Sequence, residues 1–133
     1  MRNANVGGNV DMKNTGGFVE VGNVTTKGNM TLTTGAGANP DVKHFVHVVG
    51  NTDVKGDLTV DSLNNIHIGG YNETLDAMAD GSLKVGGTLD AKADYGTVAV
   101  TIDTTAKNVK LTFLVPGFLK SNSLFFHGTS NVG

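Results

Sequence analysis

The chain has 133 residues, of which Gly, Val, Thr and Asn supply 19, 17, 16 and 14, half of the total. A formal net charge of -2 offers no electrostatic footprint for nucleic acid or an anionic membrane surface, and the absence of cysteine excludes a disulfide framework and a thiolate metal site. No apolar run approaches the roughly 20 residues that cross a bilayer, so membrane insertion is not expected.

The N-terminus, Met-Arg-Asn-Ala-Asn-Val-Gly-Gly, lacks the apolar core of a signal peptide. From there the glycines keep time. The pattern Gly-x-apolar-x-(apolar or Thr) occurs at Gly8, Gly17, Gly22, Gly28, Gly56, Gly81, Gly87 and Gly96. Period-2 alternation signals a strand and a leading glycine signals a turn, which puts these eight glycines at one structural position. Helix is disfavoured, because β-branched Val and Thr join Gly and Asn as poor helix formers.

A longer unit runs through the chain. Ala4-Asn-Val-Gly-Gly-Asn-Val-Asp-Met12 aligns with Val24-Thr-Thr-Lys-Gly-Asn-Met-Thr-Leu32. The frame returns as Thr52-Asp-Val-Lys-Gly-Asp-Leu-Thr-Val60 and Leu83-Lys-Val-Gly-Gly-Thr-Leu-Asp-Ala91. A decayed copy, Asp103-Thr-Thr-Ala-Lys-Asn-Val-Lys-Leu111, has Lys107 in place of the glycine. The copies start 20, 28, 31 and 20 residues apart, the spacing of stacked coils with loops extruded at some corners.

Each coil reads as three short strands. The first holds Val10, Met30, Leu58, Leu89 and Val109; the second holds Val19, Val46, Ile66 and Val98; the third holds Val6, Thr26, Val54, Val85 and Thr105. Three faces per coil make a triangular prism of parallel strands about 4.8 Å apart, a β-solenoid of about five coils over 4–111 in a single domain or fragment spanning 1–133. Inward residues form apolar columns, while Asn9, Asn29, Asp57, Thr88 and Asn108 face outward. Insertions fall at 33–43 and 69–80, where binding or simple surface variation is expected. The stretch 112–133 holds four of the six Phe. It reads either as an apolar cap over the last coil or as a partial final coil of a longer solenoid.

Catalytic motifs are missing. There is no Gly-x-Ser-x-Gly elbow, no P-loop and no His-Glu-x-x-His, the Gly-Gly pairs are not calcium-roll nonapeptides, and no carboxylates recur at glycosidase spacing. A non-enzymatic chain without cofactor is expected. One constellation remains: Glu20, His47 and His67, with Ala99, share an outward column of the second strand on successive rungs. Neutral imidazoles suit zinc, copper or nickel, or a pH-sensitive patch. The plainer reading is a stack of solvent-facing polar residues, Glu20 supporting a partly protonated His47, without the outer shell that holds a metal.

The units VGGNVDMKNTGG, KGNMTLTTGAG, VKGDLTV and ADGSLKVGGTLDAKADYGTVAV resemble the repeats of filamentous haemagglutinin-type exoproteins, bacterial adhesins exported by two-partner secretion. The resemblance implies a right-handed parallel β-helix, a shaft segment of a secreted surface adhesin, located outside the cell. Its partners would be further solenoid coils, with a host or neighbouring-cell receptor or glycan beyond them; no functional residues carry over. Bactofilins, short β-helices that polymerise end to end, fit the length better but have more regular rungs, and they make a self-assembling filament subunit the alternative. A carbohydrate-active β-helix would need an acidic or Arg-bearing cleft, and the sequence has only Arg2.

Overall fold

The computed structural model describes residues 1–14, 18–34, 46–69, 71–72, 77–78, 81–94, 98–100, 102–113, 124–126 and 130–132. Among them the fold is all-β. The strands are β1 (Arg2–Val6), β2 (Val10–Asn14), β3 (Val19–Thr26), β4 (Met30–Thr34), β5 (Val46–Val54), β6 (Leu58–Ser62) and β7 (Ile66–Ile68). They continue with β8 (Tyr71–Asn72), β9 (Ala77–Met78), β10 (Gly81–Ala93), β11 (Val98–Val100), β12 (Asp103–Phe113), β13 (Leu124–Phe126) and β14 (Ser130–Val132). All except β8 and β9 belong to one 12-stranded sheet, and its pairings are parallel.

Three ladders run through that sheet. One joins Val19, Val46, Ile66 and Val98. A second joins Val6, Thr26, Val54, Val85, Ala106 and Phe126. The third joins Val10, Met30, Leu58, Leu89, Val109 and Ser130. Up to β10, each partner is therefore the corresponding residue of the neighbouring repeat. Alternation does the sorting: β6 is buried at Leu58, Val60 and Ser62 and exposed at Thr59 and Asp61, β4 and β7 alternate likewise, and β5 does so on either side of Val49, Gly50 and Asn51. The inward residues form a single apolar core, with Met30, Leu32, Leu58, Ile66, Ile68, Leu83, Leu89 and Leu111 fully buried.

Buried hydroxyls among these apolar columns are satisfied locally. Thr34 and Ser62 share a hydrogen bond of 3.1 Å inside the third ladder, and Ser62 also donates to the Asn65 carbonyl at 3.1 Å. Thr26 donates to the Gly8 carbonyl, Thr52 to that of Val49 and Thr104 to that of Ile102. The hydroxyls of Thr26, Thr52, Ser62 and Thr104 thus serve backbone carbonyls, and that of Thr34 pairs with Ser62, which is why hydroxyl side chains are tolerated in positions otherwise held by Val.

Several details differ from the sequence expectation. The residue beside Val85 is Ala106, which is buried, whereas Thr105 is exposed. The cause is a bulge. β10 places Gly86-Gly87 between Val85 and Thr88, while β12 has Lys107 alone between Ala106 and Asn108, so the pairing offset changes from 21 to 20 residues across that corner. The insertion expected at 33–43 starts later, because Thr33 and Thr34 pair within β4; residues 35–45 lie outside the described ones. The second insertion contains β8 and β9, which pair antiparallel apart from the main sheet. In the tail, β13 and β14 pair parallel with β12 and extend two of the ladders.

The eight repeat glycines do not share one position. Gly8, Gly28, Gly56 and Gly87 occupy the corner between the second and third ladders. Gly22 and Gly81 belong instead to the corner between the first and second, on either side of the residues Val49 and Gly50. Gly17 and Gly96 lie outside the described residues.

Candidate functional site

The first ladder brings together the column singled out in the sequence. Glu20 sits beside His47, His47 beside His67, and His67 beside Ala99. This register depends on one extra residue. β3 and β5 pair at an offset of 27 up to Gly22 and Val49, then at 28 from Thr25 and Asp53, and Gly50 at φ +65° lies within that bulge.

The side chains are half-buried, pressed together on adjacent strands. The imidazoles of His47 and His67 stack with centroids 5.1 Å apart and planes inclined by 15°. His47 Nδ1 lies 3.9 Å from Glu20 Oε2. Glu20 is itself held by Arg2, whose Nε donates to Oε1 at 2.8 Å and whose Nη2 makes a second, shorter contact. The N-terminal amine donates to the Glu20 carbonyl at 2.7 Å.

Nearly parallel rings direct their in-plane lone pairs side by side and not toward a common point. Among the described residues no group of three or more His, Asp or Glu is arranged to hold a metal ion. The chemistry such a stack does offer is proton linkage. Burial is the main cause that pushes the His47 pKa below 6.5; the neighbouring His67 pushes the same way, and Glu20 opposes both. Burial likewise lowers His67 below 6.5.

A histidine with a depressed folded pKa binds fewer protons when folded than when unfolded near pH 6. Its stabilising contribution is complete above 6.5 and is lost as pH falls through the folded values. Denaturant unfolding at pH 7.5 and at pH 5.5 should therefore show lower stability at the acidic value. Replacing both residues (His47→Gln with His67→Gln) should flatten that dependence, whereas an unchanged slope would assign it to other groups.

The corner between the second and third ladders holds a second constellation, and its coupling is not visible in a strand-by-strand reading. Asn29 N–H donates to Asn9 Oδ1 at 2.8 Å, Asp57 N–H to Asn29 Oδ1 at 2.9 Å, and Thr88 N–H to Asp57 Oδ1 at 2.8 Å. Each Asx side chain thus reaches one rung along the stack and caps a corner amide that lies outside the strand pairing. The glycine before each corner makes the room. A Cβ on Gly28, Gly56 or Gly87 would lie 2.1, 2.2 or 2.1 Å from the oxygen of Asn9, Asn29 or Asp57. None of these three has a left-handed φ, so the requirement is space and not backbone conformation. The signal in the sequence was the repeated Gly-Asx-apolar string, GNV, GNM and GDL; the fourth copy has Thr88 in place of the Asx, and the copy after it has Lys107 in place of the glycine.

A shorter row follows the other corner. Asn23 and Asn3 adopt left-handed φ values of 55° and 53°, Asn23 Nδ2 donates to Asn3 Oδ1 at 3.1 Å, and Asn51 N–H donates to Asn23 Oδ1 at 2.9 Å. Asparagine accepts that conformation more readily than most residues, which accounts for its place there. No family model, no curated protein and no solved structure matches this chain.

Proposed function

We propose that the parallel ladders form a right-handed β-solenoid of three strands per coil, and that this solenoid is a structural segment of a bacterial surface adhesin shaft. The observation that carries the reading is the repeat-to-repeat register: corresponding residues of successive units are direct strand partners from Val10 through Met30, Leu58 and Leu89 to Val109. Such an arrangement turns sequence length into rod length, with each coil adding about 4.8 Å. Inward Val, Leu and Ile supply cohesion, and the Asx corners fix the register between neighbours. The resemblance of the units to haemagglutinin-type repeats supports the surface location, and a receptor or glycan would be met by other parts of the exoprotein or by the loops at 33–43 and 69–80.

Antibodies raised against the folded chain should label intact cells that express the parent protein, with no increase on permeabilisation. Labelling confined to permeabilised cells would overturn the surface-shaft reading while leaving the solenoid itself in place.

A further inference from the structure

We propose that the outward face of the third ladder pairs with the same face of a second copy of this chain, the two stacks lying side by side and pointing the same way. The pairing uses a lateral face and neither end of the stack, and it is independent of where the protein is located.

Two outward columns run along this face, across β2, β4, β6, β10 and β12. One holds Asp11, Thr31, Thr59, Asp90 and Lys110, and the other holds Lys13, Thr33, Asp61, Lys92 and Thr112. None of these side chains is buried. The two columns together carry three carboxylates and three amines, so the face has no net charge. Spacing alone does not make Asp11 and Lys13 satisfy each other. Lys55 reaches Asp53, two residues away, at 2.8 Å, but Asp11 and Lys13 form no such pair. Among the described residues Asp90 and Lys110 also lack an ion-pair partner, and Lys92 has only the exposed Asp94 at 3.7 Å.

The face is complementary to itself under one operation. A two-fold axis parallel to the stack, placed over the intervening column of Met12, Leu32, Val60, Ala91 and Leu111, sets each outward column against the other column of the second copy, rung against like rung. Asp11 then faces Lys13, and Lys13 faces Asp11. Asp90 and Lys92 make the same exchange three rungs further along. Between them Thr31 faces Thr33, and Asp61 faces Thr59, whose hydroxyl can donate to the carboxylate. The short threonines allow the usual spacing of about 10 Å between stacked sheets. Lys110 faces Thr112, so no rung sets like charges directly opposite.

Other arrangements fit less well. Reversing one stack would place Asp61 against Asp61. The first ladder has a single outward column, so the same two-fold would set Glu20 on Glu20 and His47 on His47. The second ladder offers Asn51 with Asp53 and Ser82 with Lys84, rungs without opposite charges. Five rungs of five-residue strands present a face of about 24 by 17 Å, or roughly 800 Å² over both copies, which suits a weak and salt-sensitive dimer.

The test is sedimentation equilibrium and backbone-amide shifts of the full chain, followed up to about 1 mM at low salt. A monomer–dimer equilibrium is expected, with concentration-dependent shifts on the third ladder and none on the first, and with weaker association in about 0.5 M salt. Asp11→Lys, which sets amine against amine, should weaken dimerisation about tenfold without changing the circular dichroism. Asp11→Lys combined with Lys13→Asp exchanges the two charges and should return the affinity to within about threefold of the original. In the reversed pairing position 11 meets Lys110, so there the exchange would not restore association. A monomer at every concentration, shifts centred on another ladder, undiminished association of Asp11→Lys, or failure of the exchanged variant to recover would each overturn the proposal.

Discussion

Gly56→Ala is expected to lower the free energy of unfolding by about 2–4 kcal/mol, a large loss for adding one methyl group. The new Cβ would lie 2.2 Å from Asn29 Oδ1 and 2.9 Å from the Gly28 carbonyl oxygen. To relieve the first contact, Asn29 must swing away and surrender its bond to the Asp57 amide. To relieve the second, the two rungs must separate at a corner where Gly56 N–H donates to that same carbonyl at 3.0 Å. The control is Gly8→Ala, where the added Cβ meets nothing within 4 Å. There the change should stay within about 0.5 kcal/mol or stabilise slightly, since alanine restricts the unfolded chain.

A double-mutant cycle separates steric cause from backbone cause. Asn29→Ala alone removes one exposed hydrogen bond and should cost about 0.5–1.5 kcal/mol. With Asn29 already truncated, Gly56→Ala should cost less by roughly 1–3 kcal/mol, because its principal collision partner is gone. Chemical denaturation of the four proteins measures the coupling. Strict additivity would show that the approach to the Gly28 carbonyl, and not the Asn29 side chain, sets the cost, and the Asx account of this corner would fail.

The core of the ladders was legible in the sequence because it depends on short-range alternation. Val19, Val46, Ile66 and Val98 could be aligned from period 2 alone, and the structure makes them direct partners. The same regularity brought Glu20, His47 and His67 into one column. That alignment survives only because Gly50 absorbs an extra residue in β5. The fifth copy shows the opposite outcome. One residue is missing at Lys107, and a count from Asp103 therefore selects Thr105 as inward where the fold buries Ala106. A slip of one residue exchanges the faces of a strand, and nothing within a single strand's pattern of small residues signals it.

The role of the glycines was illegible for another reason. A turn glycine and a spacer glycine have the same spelling, and they are told apart by what approaches from the next rung. Gly81, at φ +148° with the Gly50 carbonyl 2.1 Å from where its Cβ would be, is constrained by both conformation and space. Gly28, Gly56 and Gly87 are constrained by space alone, against a side chain 19, 27 or 30 positions earlier. That relation becomes readable only when Gly in one copy is compared with Asx in the copy before it.

Leu58→Ala should be among the most damaging apolar truncations, costing about 2–5 kcal/mol. Leu58 is wholly buried, and its partners along the third ladder are Met30 on one side and Leu89 on the other, both also wholly buried. The cavity would be closed by side chains that cannot move inward without leaving their own rungs. Leu32→Ala removes the same atoms from an equally buried site, yet one of its ladder neighbours is the partly buried Met12. An unbranched, partly buried thioether can follow the vacated space, so Leu32→Ala should cost less. The position of Leu58 also gives the loss a spatial signature. Rungs contact their immediate neighbours, so a weakened centre reduces the cooperativity that joins the two ends. Denaturant unfolding of Leu58→Ala should show a lower m-value or a second transition, whereas Leu32→Ala should keep one transition with a shifted midpoint. Equal midpoints and equal m-values for the two variants would show that burial alone sets the cost and that the position of a rung in the stack does not matter.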